Sequence, residues 1–227
     1  MISNIFLTLL YKDFKLEFSK LENFILHLFL SLLLIVTIMI GVNIIFIPLS
    51  VQQRLYPMLI WLIFIFSASI SMGKSLDCET EEDALTNLII FKVPVELLYL
   101  SKMLVNFVLI YIVHLVASIL LAIFLGITFG FDFWQFALIS FFVVFAYSAL
   151  STLLVAISTF SKIKNLLLPV LLIPLIFPVF FCALELTSNL ILNNQFAISN
   201  IWFSILIGIN FIYLALGINL YKFAIKD

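Results

Sequence analysis

Long charge-free apolar runs alternate with short polar stretches along the whole chain. Crossing a bilayer takes about 20 apolar residues, and six runs qualify: 24–48, 56–72, 103–129, 133–160, 166–183 and 201–220. The second and fifth are the shortest, so they must take in flanking residues or stand nearly upright. No seventh run is available. The pattern predicts an all-α, polytopic membrane protein with six transmembrane helices in one domain over 1–227, without internal repeat or domain boundary.

Two of the polar stretches are patterned. Leu10, Phe14, Phe18 and Leu21 recur at helical spacing, with Lys12, Lys15, Ser19, Lys20 and Glu22 on the other faces. That period predicts a helix lying in the membrane interface before the first span. Between the second and third spans, Asp77, Glu79, Glu81, Glu82 and Asp83 precede an apolar stripe of Ala84, Leu85, Leu88 and Ile89. Thr80 with Asp83 three residues on resembles a capping box, and acids suit the first turn of a helix. A short amphipathic helix is expected there, ending before Pro94, which opens a new helix into the third span. It reads either as a solvated hairpin or as a dock for a cytoplasmic partner.

Composition narrows the class. With 65% hydrophobic residues and 10% charged ones, and a mean hydropathy of +1.32, no water-soluble fold could hide the apolar surface. A soluble enzyme and a nucleic-acid binder are both excluded. The net charge of −1 says nothing about partners, but the placement of the charges does. Of the 11 Lys and Arg residues, all but Arg54 fall before the first span, between spans 2 and 3, between spans 4 and 5, or after the sixth. The positive-inside rule makes those segments, and both termini, cytoplasmic. The short apolar stretch near the N-terminus has no basic residue before it and does not read as a cleavable signal.

Candidate chemistry is sparse. Cys78 and Cys182 fall on opposite sides of this topology and read as free thiols; no Cys/His cluster points to a metal or to covalently held haem. Ala68, Gly73, Lys74 and Ser75 match a loose phosphate-binding loop, but that loop needs a strand before it and a helix after it, and here it closes an apolar span. If ATP is used, another chain supplies the site. His27, His114 and Glu185 are the ionisable residues at or near the spans, too few for a proton pump and not spaced for a metalloprotease. A lone intramembrane histidine such as His114 has two readings, an axial haem ligand or a polar bridge to a neighbouring helix. The second is the commoner. Pro169, Pro174 and Pro178 in the fifth span each remove a backbone donor, so a bent or broken helix is expected, serving either packing geometry or a moving, pore-lining role. The stretch 185–200 is polar enough to leave the core and apolar enough to dip back.

The assembled parts resemble the permease subunit of an ABC-2-type transporter, and more closely the cytochrome c maturation protein B (haem exporter protein B) family. Three stretches carry the match: Ile60-Trp61-Leu62; Ala84-Leu85 through Pro94 to Leu100-Ser101-Lys102; and the proline-bearing run 166–178. The chain departs from the family at Asp83, at Thr86 and at Asn106, where many relatives have histidine. The resemblance implies a non-enzymatic permease of the bacterial inner membrane, or of an organelle, acting in cytochrome c biogenesis. It implies an ABC ATPase partner and a haem-handling membrane partner, and the acidic amphipathic segment, with Glu81, Glu82, Asp83, Leu85, Leu88 and Ile89, is the expected docking element for the ATPase. Haem becomes the transported or handled ligand, with His114, Pro169, Pro174 and Pro178 as translocation or gating candidates. Six spans enclose too little surface for a gated pathway, so a second copy is expected. The rival readings are an ABC-2 permease for a lipid, polysaccharide or drug, and an assembly scaffold that transports nothing.

Overall fold

The computed structural model describes residues 2–19, 22–45, 47–81, 94–127, 133–158, 164–193 and 200–226. Seven helices account for nearly all of them: α1 (Ile2–Ser19), α2 (Glu22–Ile44), α3 (Leu49–Glu81), α4 (Val95–Phe124), α5 (Phe133–Ser158), α6 (Lys164–Asn193) and α7 (Ile201–Lys226). No strand occurs among the described residues, and six helices, α2 to α7, are long and apolar enough to cross a membrane. The chain is an all-helical, multi-pass membrane protein, as the apolar pattern predicts.

Helix boundaries are set by a few local signals. Pro48 closes the turn after α2 and opens α3, its carbonyl accepting from the Val51 and Gln52 amides at 2.9 and 3.0 Å. Pro94 has extended φ and ψ of −56° and 123° and stands directly before α4. The helix it was expected to open is therefore the third span itself, starting well before residue 103. At the far end Gly126 has φ of 65°, the left-handed region that glycine enters without a Cβ penalty. The Ile127 amide reaches back to Ala122 at 2.9 Å and that of Gly126 to Ile123 at 3.2 Å. This paired closure stops α4 at Phe124, short of the 129 expected.

Both short spans borrow flanking residues. α3 has 33 residues and α6 has 30. This corrects one expectation: Thr80 does not cap a new helix, because α3 continues unbroken through Asp77, Glu79 and Thr80 to Glu81. No proline interrupts 73–81, and a local capping preference is weak against an existing helix that adds a bond per residue. Helix also runs through Ala68, Gly73, Lys74 and Ser75, so the strand and loop of a phosphate-binding motif are absent there.

α6 is a single helix through Pro169, Pro174 and Pro178, so the expected break does not occur. Leu172, Ile176, Val179, Ala183, Leu186 and Leu190 recur at three- and four-residue steps and are all buried, while Pro174 and Pro178 are exposed on the opposite side. Packing of the buried stripe against α3 and α5 holds the helix where the prolines remove donors.

α5 is the hub, packed on α4, α6 and α7. It is buried along most of its length, including Ser140, Ser148, Ser151, Thr152 and Ser158. Small residues such as Ala137, Ala146 and Ala149 let backbones approach, which is how helices associate where lipid is as apolar as the core. α2 and α7 present Ile25, Phe29, Val36 and Phe211, Ile212, Leu220 outward, faces suited to acyl chains. α1 packs on α4 with Leu9 and Asp13 buried. Of the stripe read from sequence, Phe18 is exposed, Leu10 and Phe14 are half-buried, and Leu21 lies outside the described residues. The packed face of α1 thus overlaps that stripe at Leu10 and Phe14 and leaves Phe18 outward.

Candidate functional site

Two buried hydroxyls and three aromatic rings gather around His114. α4 places this residue so that 2% of it is exposed, and its Nε2 lies 3.2 Å from the Ser140 hydroxyl of α5. Trp61 of α3 stacks on the imidazole at 4.9 Å and 24° between planes. Phe64 meets it edge-on at 5.0 Å, and Phe136, in the first turn of α5, lies at 6.0 Å. The indole Nε1 of Trp61 donates to the Thr187 hydroxyl of α6 at 3.0 Å. One knot of aromatic rings and hydroxyls therefore ties α3, α4, α5 and α6 together. The arrangement satisfies the polar groups that an apolar core penalises, and it uses Trp where its N–H has a partner.

Further ties run above and below this knot. Tyr56 donates to the Ser118 carbonyl at 3.2 Å, joining α3 to α4. Phe64 also meets Tyr147 of α5 at 5.1 Å. His27 of α2 pairs with Ser67 of α3 at 3.1 Å, repeating the His–Ser chemistry of the knot on another helix pair. Asn106 donates to the Thr152 hydroxyl at 3.3 Å. The Tyr213 hydroxyl of α7 donates to the Leu175 carbonyl of α6, next to Pro174.

The predicted residues fall in three places. His114 is in the knot, enclosed by rings and engaged by a hydroxyl, which is the geometry of a bridge between helices. Pro174 and Pro178 are on the outward side of α6, away from Thr187 and the knot; Pro169 lies within α6, and its side chain is outside the description. Glu81 ends α3, while Glu82, Asp83, Leu85, Leu88 and Ile89 lie outside the described residues. Glu185 is half-buried within α6, not at its edge. The structure thus brings His114 together with residues the sequence did not single out as a set: Phe64, Phe136, Ser140 and Thr187. Their signal in the sequence was a hydroxyl or an aromatic ring recurring inside otherwise aliphatic runs, which names no partner.

Toward the N-terminal end of α4, Ser101 donates to the buried Asp13 carboxylate of α1. Asp13 also pairs with Lys12 at 3.1 Å. Six candidate spans and a buried polar knot that joins four of them make up the frame. The family model described as CcmB protein matches residues 4–226. The chain belongs to the CcmB family. No curated protein matches it closely enough to add a second comparison. CcmB proteins are permease components of a haem exporter system in cytochrome c maturation, which agrees with a chain that has six membrane-span-like helices.

Proposed function

We propose that this CcmB-family chain is a single-domain permease half that couples ATP hydrolysis on a separate subunit to haem export, or to haem delivery onto a periplasmic chaperone. The carrying observation is the family match over nearly the whole chain on a six-span bundle. The Lys/Arg distribution supports an orientation with both termini and 74–102 in the cytoplasm of a bacterial inner membrane. The ATPase docks on Glu81, Glu82, Asp83, Leu85, Leu88 and Ile89. Exposed to water, the Leu85–Leu88–Ile89 stripe is unfavourable by about 25 cal/mol per Å², so it suits a groove on a partner. Two copies complete the pathway, beside a haem-handling membrane protein. His114 holds the four-helix knot, and Pro169, Pro174 and Pro178 give α6 its freedom to move.

Deletion of the gene tests this reading. Haem-stained c-type cytochromes should disappear and return with the wild-type gene, but not when the partner ATPase carries an inactivated nucleotide site. Intact cytochromes c after deletion would contradict the haem role and favour a permease for another cargo. Normal maturation with the inactive ATPase would favour a scaffold.

A further inference from the structure

The first two turns of α4 leave the 82–93 connection and are locked at once to three other helices. Ser101 is tied to α1 through Asp13. Tyr99 is fully buried, and its hydroxyl donates to the Ala149 carbonyl of α5 at 2.9 Å. Its ring lies 5.2 Å from that of Tyr221 on α7. Gly217, one turn before Tyr221 on α7, lies directly against Tyr99. A Cβ added at Gly217 would sit 1.9 Å from the Tyr99 hydroxyl oxygen and 2.1 Å from Cζ. The tyrosine reaches the α5 carbonyl only because position 217 has no side chain. Gly208 on the same helix, and Gly41 on α2, have nothing within 4 Å of such an atom. Glycine costs about 1 kcal/mol against alanine inside a helix of a soluble host, so its use where the space is already taken calls for a structural reason, and here the seat of Tyr99 is that reason.

We infer that Tyr99 and Gly217 form a socket that makes the bases of α4, α5 and α7 one rigid unit, so that force applied at the 82–93 connection moves the three helices together. Gly217 and Tyr99 are positioning residues in this account. The inference rests on the reading that an ATPase docks at that connection. Rigid-body displacement of packed helices is the usual way a local push becomes a global change, and a loose joint at the base of α4 would dissipate it. A tyrosine wedged over a glycine and hydrogen-bonded to a third helix leaves little room for sliding, since packed interiors tolerate few voids and little overlap.

The test uses the full chain with its ATPase partner in nanodiscs, with Cys78→Ser and Cys182→Ser as background. Spin labels go at Glu96→Cys and Leu220→Cys, both exposed, with Glu96→Cys and Ile25→Cys as the pair across α4 and α2. In the otherwise native protein the 96–220 distance should be narrowly distributed and constant to within about 2 Å between nucleotide-free and ATP-bound states, a helix-shift scale, while 96–25 changes. Gly217→Ala should broaden the 96–220 distribution and abolish cytochrome c maturation; Gly208→Ala, the same chemical change on the same helix, should do neither. Should Gly217→Ala fail to accumulate, Gly217→Ala with Tyr99→Leu removes the clash and the lock together: membrane level returns, coupling does not. A 96–220 distance that follows nucleotide, an unbroadened Gly217→Ala, or a double variant that regains coupling overturns the inference. Loss of ATPase binding by the native chain would instead remove the docking reading, and the Gly217→Ala distribution would still decide the socket.

Discussion

Trp61, His114, Ser140 and Thr187 show how few polar atoms it takes to fix four helices in lipid. Each of their bonds spans two helices, and in hydrocarbon no water replaces a broken one. Measured interhelical hydrogen bonds of this kind contribute on average about 0.6 kcal/mol, with a maximum of about 1.7, so the knot acts through number and packing rather than through one strong contact. Ser140→Ala should therefore cost about 1 kcal/mol in reversible unfolding from mixed micelles. His114→Ala, which also empties a ring-lined site, should cost about 2–4 kcal/mol by analogy with large-to-small core changes. A double-mutant cycle should return a coupling energy within the range above; additivity would mean that the two side chains do not interact. The sequence made His114 conspicuous because it is ionisable. It could not reveal that Trp61 and Phe136, from other helices, close around it, since contacts over such separations depend on helix rotation.

At the scale of elements, six spans and an amphipathic α1 were legible because an apolar run over a fixed length has one physical solution in a bilayer. Helix ends were legible where proline marked them, as at Pro48 and Pro94, while the stop at Gly126 was passed over and the third span drawn on to 129. They were misread where a capping preference at Thr80 competed with a helix already formed; of the bent or broken span expected at the α6 prolines, the break is absent, and the buried Leu172–Leu190 stripe lies opposite them. α6 supplies a prediction. Pro174→Ala with Pro178→Ala restores two backbone donors and should raise thermal stability in detergent. If α6 moves during the cycle, cytochrome c maturation should fall at the same time; unchanged maturation would assign the prolines to packing alone. The docking stretch supplies another. Leu85→Asp with Leu88→Asp should leave membrane levels normal, abolish ATPase co-purification and abolish mature cytochrome c. Retention of the ATPase by that variant would reduce the stretch to a hairpin.

For the whole molecule, an even number of spans puts the start of α2 and the end of α7 on one side, and the Lys/Arg bias assigns that side to the cytoplasm. Reporter fusions after Lys164 should read cytoplasmic and fusions within 186–200 periplasmic; a periplasmic signal after Lys164 would break the six-span topology. The outward apolar faces of α2 and α7 suit lipid, and the family match is what points to an assembly with partner subunits. The central claim is that this assembly is an ATP-driven permease of cytochrome c maturation, and composition of the native complex tests it most directly. Tagged protein extracted in mild detergent and measured by native mass spectrometry should carry an ABC ATPase, a second six-span half and a haem-handling membrane protein. A chain recovered at one copy with none of these would contradict the account.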